Sequence, residues 1–251
     1  MKETKDLFSK QAGTYAQYRP VYPQALYDFL FGTVKRFDAA WDCATGNGQV
    51  AVKLAERFKS VYATDISEKQ IAHAVQKENI HYSVQRAEHT SFATDSFDLV
   101  TIGTALHWFD FDNFYKEVRR VVKDGGYIAA WAYAPFRSET VIDEILDDFT
   151  YNTLKDYWDP ERKYVDEQYT NIPFPFENVA VPKLEIKVNW TREHFMGFLN
   201  SWSSVQHYIN RNGSNPIDLI DAKLEAIWPL QEVKALRFPL FLRMGMVNKQ
   251  G

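Results

Sequence analysis

The residues best suited to chemistry stand in the ten-residue stretch Trp41 to Val50, WDCATGNGQV, where an apolar run ends in Asp42 and continues with small residues at Ala44, Gly46 and Gly48. Glycine takes positive φ and lets backbone approach a ligand closely. A strand that opens into such a turn before a helix therefore makes a floor for a nucleotide-like molecule. A second acid, Asp65, ends the next apolar run in YATDIS. In an open α/β sheet an acid there faces the cleft beside the glycine turn and accepts both hydroxyls of a ribose. Nicotinamide dinucleotides and adenosyl cofactors both satisfy these two features.

A parallel sheet is needed to bring these residues together. From Val34 to Trp131, short apolar runs alternate with amphipathic stretches, a pattern that predicts βαβ units. Strands are expected at Ala39 to Ala44, Val61 to Thr64, Tyr82 to Arg86, Asp98 to Gly103 and Tyr127 to Ala132. Helices are expected at Val50 to Phe58, Glu68 to Glu78 and Phe111 to Val122, the last stopped by Asp-Gly-Gly at Asp124 to Gly126. Ahead of this repeat, Leu7 to Tyr18 reads as a helix, Arg19-Pro20 breaks it, and Pro23 fits the first position of a helix from Gln24 to Phe31. After it come a helix from Ser138 to Leu154 and an aromatic, proline-containing stretch to Pro182. Two late strands follow, Leu184 to Trp190 and Phe238 to Val247, with helices around Arg192 to Leu199 and Ile217 to Ile227. The expected fold class is α/β: a Rossmann-like, doubly wound, mostly parallel seven-stranded sheet with a helical and aromatic insertion after the fifth strand.

The glycine pattern separates the two cofactor classes. A dinucleotide site wants G-x-G-x-x-G, whose third glycine lets helix pack on strand while the helix N-terminus holds a pyrophosphate. Here the pattern is D-x-A-x-G-x-G, with no glycine at Val50 or Ala51. It resembles the first motif of the class I S-adenosylmethionine-dependent methyltransferases, an acid followed by three alternating glycines. Ala44 departs from that form by one methyl group, which leaves the backbone path possible. The resemblance covers Phe8 to Trp131 in order: FSKQAGTYAQYRPVYP, ATDIS, AEHTSF from Ala87 to Phe92, DSFDLVTIGTALHWF from Asp95 to Phe109, and VVKDGGYIAAW. It looks like the methyltransferase type 11 branch that includes trans-aconitate-type small-molecule enzymes.

That resemblance implies S-adenosyl-L-methionine as cofactor and a role for each matching position. Gly46 and the backbone around Ala44 and Thr45 would lie against the methionyl part, Asp65 would hold the ribose, and Ile66 would meet the adenine edge. Glu88 corresponds to a position that often faces the adenine amino group. The backbone near Gly103 and Thr104 would line the methionine side, and His107 and Trp108 fall where this family faces the methyl group. The opening segment, with Tyr15, Tyr18, Arg19 and Tyr22, resembles the family's lid over the cofactor. One domain is expected over 1–251, with a helical lid at 1–33 and an insertion or cap at 135–182.

Several of these residues carry a second reading. Asp42 either orders the glycine loop or reaches the cofactor amine, and Asp65 either binds ribose or caps the helix near Ser67, itself a good cap. Glu88 also reads as a solvated loop acid. His107 has the chemistry of a general base or an acceptor anchor, and equally of an unreactive histidine. Arg19 matches a carboxylate in two-point geometry, on the cofactor or on an acidic acceptor, or else packs the first helix. A carboxylate acceptor needs no base, only a cation such as Arg19 or Arg243 to place it.

The remaining charged positions read as scaffold. Asp143, Glu144, Asp147 and Asp148 have the spacing of a wet helix face, and Arg119, Arg120 and Lys123 suit a helix C-terminus. His194 and His207 have no partner at metal-ligand spacing, so no metal is expected.

Composition sets the outer bounds. At 251 residues and 45% hydrophobic content, one substantial core is available. A net charge of −4 gives no general attraction to nucleic acid or anionic lipid. The single cysteine, Cys43, forms no internal disulfide and reads as a small core residue. With no leader and no apolar run of about 18 residues, a cytoplasmic protein is expected. The functional expectation is a methyltransferase acting on a small organic acceptor, with a carboxylic acid as the first guess. A non-catalytic cofactor- or partner-binding module and an NAD-dependent oxidoreductase are the rivals.

Overall fold

A computed structural model describes residues 18–138 and 141–249. The first expected helix, apart from Tyr18, lies outside the described residues, as does Tyr15.

One sheet organises the chain. Its strands are β1 (Ala39–Cys43), β2 (Ser60–Asp65), β3 (Ile80–Val84), β4 (Phe97–Gly103), β5 (Val122–Tyr133), β6 (Glu177–Asn178), β7 (Leu184–Thr191) and β8 (Val233–Val247). The helices are α1 (Gln24–Thr33), α2 (Gln49–Leu54), α3 (Glu68–Ala72), α4 (Phe111–Val121), α5 (Val141–Asp148), α6 (Arg162–Asp166), α7 (Arg192–Asn200), α8 (Ser203–Asn212) and α9 (Asp218–Ile227).

The spatial order is β3-β2-β1-β4-β5-β8, parallel through β5 and antiparallel from β8 onward. β1 sits centrally between β2 and β4, so the strand order reverses at its carboxyl end. That reversal opens a crevice where ligands of such sheets bind. Both β1 and β4 are almost wholly buried, as expected of strands covered on two faces. Leu26, Tyr27 and Leu30 of α1 join Leu54 and Trp228 on one face, while Phe114 and Val118 of α4 join Trp41 and Phe97 on the other.

Local chemistry sets the element ends. Asp110 caps α4 by accepting from the Asn113 amide at 3.4 Å, and Ser67 caps α3 by accepting from Gln70 at 3.2 Å. The helix expected to run to Glu78 stops at Ala72, and the strand expected from Tyr82 begins at Ile80. Asp124 to Gly126 lies within β5, not at the end of α4. With Gly125 at φ 71° it makes a bulge: Val122 faces Phe97, but Tyr127 faces Leu99.

The long helix expected from Ser138 divides into α5 and a π-helical turn, Phe149–Thr153. The two-residue β6 and helices α6 and α8 are additions to the expected elements, and β6 brings the sheet to eight strands. Among the described residues no helix is long and apolar enough to cross a membrane, and no cluster suited to a metal ion occurs.

Candidate active site

Two adjoining cavities of about 250 and 70 Å³ open at the carboxyl end of β1 and share Arg19, Ala44, Gly46, Gly103 and Tyr133. Their floor is the turn between β1 and α2, which three left-handed residues bend: Ala44 at φ 55°, Gly46 at φ 57° and Gly48 at φ 85°. Gly48 suits this turn because its φ is strained for any side chain and a Cβ there would meet the Tyr82 hydroxyl at 2.4 Å. Ala44 adopts the same region with a methyl attached, at a cost of about 1–2 kcal/mol. At Gly46 a Cβ would meet no atom within 4 Å, so the room left by its missing side chain belongs to the cavity.

Two carboxylates fix this turn. Asp65 accepts from the Gly46 amide and from the Ser67 amide, each at 2.9 Å, and so joins the glycine turn to the start of α3. Its carboxylate also lines the larger cavity, next to the exposed Ile66. Asp42 is buried and accepts from Thr45 Oγ1 at 2.6 Å and from Thr101 Oγ1 at 2.8 Å. Burial pushes its carboxyl up to about 6, against the opposing pull of those two hydroxyls. Asp42 is thus tied to Thr45 of the glycine turn and to Thr101 of β4, and it also lines the smaller cavity.

Glu88 lines the larger cavity and accepts from the Asp110 amide at 3.1 Å, with Arg86 at 3.4 Å from its other oxygen. The loop that carries it is held from below. Glu117 of α4 accepts from both the amide and the hydroxyl of Thr90, at 2.8 and 2.5 Å, and pairs with Arg120 at 2.6 Å.

Thr104, at the end of β4, stands at φ 57°, a strained conformation for a β-branched residue. Its amide donates to Trp131 O at 2.7 Å, and its hydroxyl meets Tyr22 Oη at 2.8 Å. His107 follows in a single 3-10 turn, Leu106–Trp108, buried but lining the larger cavity. Its Nδ1 lies 2.8 Å from Tyr169 Oη.

The opening segment divides. Arg19 lines both cavities, donates to Tyr133 Oη at 2.8 Å and to Ser201 O at 3.0 Å, and lies over the Phe198 ring at 5.4 Å. Tyr18, expected beside the cofactor, instead packs edge-on against His194, centroids 5.2 Å apart, and occupies the space that a side chain at Gly197 would need. The smallness of Gly197 draws the ring onto α7 and away from the cavity lining.

The far side of the larger cavity is built by segments in which no site residue was expected. Phe136, Trp158, Phe198 and Trp202 give it an aromatic wall, and Asp159 and Glu161 add two buried carboxylates. Arg162 stacks over Trp158 at 4.2 Å and pairs with Asp166 at 2.8 Å. Arg243, the alternative cation for an acidic acceptor, is not there. It donates to the carbonyls of Tyr169 at 2.9 Å and Ile172 at 2.5 Å and lies over Phe174. Of the wall, Trp158 lies in the aromatic stretch that runs to Pro182, whereas Phe136, Phe198 and Trp202 lie outside it, and Tyr169 carried no signal of its own.

Residues 41–130 match the family described as a methyltransferase domain. A Dictyostelium discoideum protein, provisionally described as a methyltransferase, is 30% identical over 223 residues, 87% of this chain and 85% of that protein. The chain belongs to the class I S-adenosylmethionine-dependent methyltransferases. A solved structure from Anaeromyxobacter dehalogenans, provisionally described as a type II methyltransferase, superposes on this methyltransferase with a TM-score of 0.85 at 35% identity, covering 92% of this chain and 99% of that one. The YcgJ protein of Bacillus subtilis shares the fold at 18% identity and a TM-score of 0.53, over 90% of this chain and 100% of its own.

S-adenosylmethionine is thus the methyltransferase's cofactor, and the nicotinamide reading falls. The residues present fit it: an acid at the crevice, a backbone turn whose missing side chain leaves open cavity at Gly46, and a guanidinium at the junction of the two cavities.

Proposed function

We propose that this methyltransferase methylates a small organic acceptor seated against the aromatic wall, and that the acceptor is a carboxylic acid, as in the trans-aconitate-type branch. One observation carries the reading: a single cavity is lined both by the glycine turn, at Ala44 and Gly46, and by His107, Phe136, Trp158 and Trp202. Residues 135–182 act as a cap in this reading, since Thr150, Trp158 and Val165 all face the same space. Arg19 supports the carboxylate, because its guanidinium lies where the two cavities join and matches a carboxylate in two-point geometry.

In the same reading Asp65 receives the ribose hydroxyls, Ile66 and Glu88 border the adenine, and Ala44, Thr45 and Gly46 carry the methionyl part, with Asp42 beneath and Thr104 opposite. The cofactor supplies a methyl group already activated on a sulfonium. What remains for this chain is alignment of the acceptor and exclusion of water, which are positioning tasks. His107 borders the acceptor's reacting end, and the aromatic wall removes solvent from its body.

A second reading follows from Asp159 and Glu161, whose buried carboxylates in the wall suit an acceptor with a cationic or proton-donating part. The two separate in one experiment. The protein is incubated with methyl-labelled S-adenosylmethionine and a panel of small mono-, di- and tricarboxylic acids beside amines of matched size. Labelled methyl esters support the proposal, whereas transfer to amines alone, or to nothing in the panel, overturns it.

A further inference from the structure

The insertion contributes a residue that reaches the reacting end through another side chain. Tyr169 is fully buried, and its Oη lies 2.8 Å from Nδ1 of His107, whose ring lines the larger cavity. The backbone that delivers it is strained: Gln168 at φ 51° and Tyr169 at φ 60° are consecutive non-glycine residues in the left-handed region. Two hydrogen bonds hold that geometry. The Tyr169 amide donates to Tyr164 O at 2.8 Å, and Arg243 donates to the Tyr169 carbonyl at 2.9 Å. A strained segment braced from two sides, ending in a buried hydroxyl on a cavity histidine, points to a positioning device.

We infer that Tyr169 donates its hydroxyl proton to His107 Nδ1 and so fixes the tautomer that carries its proton on Nε2, which makes His107 a hydrogen-bond donor to an acceptor oxygen and not a base. The direction follows from what surrounds the phenol. Burial keeps it protonated, and among the described residues the hydrogen-bond partner of its hydroxyl is His107 Nδ1. A buried hydroxyl hydrogen left without an acceptor is costly, so it is directed at Nδ1. A ring whose Nδ1 accepts carries its proton on Nε2 and has no free lone pair with which to take a proton. The acceptor must then arrive already nucleophilic and bear an oxygen lone pair, as a carboxylate does. This deepens the proposed function and rests on its placing of His107 beside the acceptor.

The test is a nitrogen-15 spectrum of histidine-labelled protein with S-adenosylhomocysteine added and its binding followed by calorimetry, at pH ~8.5, about two units above the ordinary imidazole value. His107→Gln assigns the resonances by removing them. The expected result is an unprotonated Nδ1 and a protonated Nε2 in the wild type. In Tyr169→Phe, the two signals should move toward a shared, averaged position. A protonated Nδ1 in the wild type, or an unchanged His107 signature in Tyr169→Phe, overturns the inference. Should Tyr169→Phe fail to fold, the wild-type spectrum alone decides. Tight binding of S-adenosylhomocysteine with the wrong tautomer defeats this inference and leaves the methyltransferase reading intact. The right tautomer in a protein that binds no S-adenosylhomocysteine does the reverse.

Discussion

The carboxylate of Asp65 accepts the amide proton of Gly46 across the crevice at 2.9 Å while its second oxygen holds the Ser67 amide. One side chain therefore sets the distance between the glycine turn after β1 and the helix after β2. Asp65→Asn keeps the shape but replaces one accepting oxygen by an N–H group that faces an amide donor. The expected outcome is binding of S-adenosylhomocysteine weakened by about 10- to 100-fold, read by calorimetry, because an uncompensated charged hydrogen bond is worth ~1.5–3 kcal/mol. Unchanged affinity would remove Asp65 from the cofactor site.

Asp42 gives a pH-dependent prediction. Burial raises its carboxyl from 3.8 to about 6 in the folded protein, so the folded state holds the proton longer than the unfolded chain does. Stability is lost as pH rises from about 4 to about 6, and the ionised carboxylate costs up to ~3 kcal/mol above that range. Asp42→Asn keeps a partner for Thr45 and Thr101 without the charge. Denaturant unfolding should find it more stable than wild type at pH 7, with the difference closing near pH 4. A difference independent of pH would contradict the burial argument.

Ala44 tests the price of the methyl group on the glycine turn. At φ 55° it sits where glycine is free of strain, so Ala44→Gly removes about 1–2 kcal/mol from the folded state. The freer unfolded chain returns ~0.4–1 kcal/mol of that. A net gain of about 0.5–1 kcal/mol is expected in urea unfolding, with cofactor binding retained. A loss of stability would mean that the methyl packs usefully in the turn.

The glycine-turn end of the crevice was legible in sequence because it depends on local chemistry. Asp42, Ala44, Gly46 and Asp65 lie at strand ends where an apolar run stops, and the structure brings them to one crevice. The aromatic end was not, because Phe136, Trp158, Phe198 and Trp202 come from separated segments that meet only through tertiary packing. Aromatic content marked the region without giving direction. Tyr18 shows the same limit in reverse: its sequence neighbours suggest the cofactor, but Gly197, far along the chain, provides the space it fills. Likewise, Asp124 to Gly126 reads as a helix stop and is a bulge, since the strand partners decide its role.

Arg243 ties the insertion to β8 through two carbonyls, those of Tyr169 and Ile172. Both bonds come from the single Nη1 of a guanidinium that also lies over the Phe174 ring at 4.5 Å, and the shorter, non-planar head of lysine does not reproduce bonds and stacking together. Arg243→Lys should destabilise the protein by about 1–2 kcal/mol in thermal unfolding, through one or two lost buried hydrogen bonds. The loss should fall on the cap, seen as faster amide exchange in residues 164–172 while β1 and β4 stay protected. Uniform loss of protection would show that the insertion does not open separately.

The central claim is that one continuous crevice holds an adenosyl cofactor at Asp65 and an acceptor at the aromatic wall. A crystal structure with S-adenosylhomocysteine tests it most directly. Ribose hydroxyls within ~2.6–3.2 Å of the Asp65 carboxylate are expected, with the amino-acid tail on Ala44 to Gly46 and the sulfur facing the space bounded by His107 and Trp158. A nucleoside bound away from Asp65, or a sulfur walled off from that space, would contradict the claim.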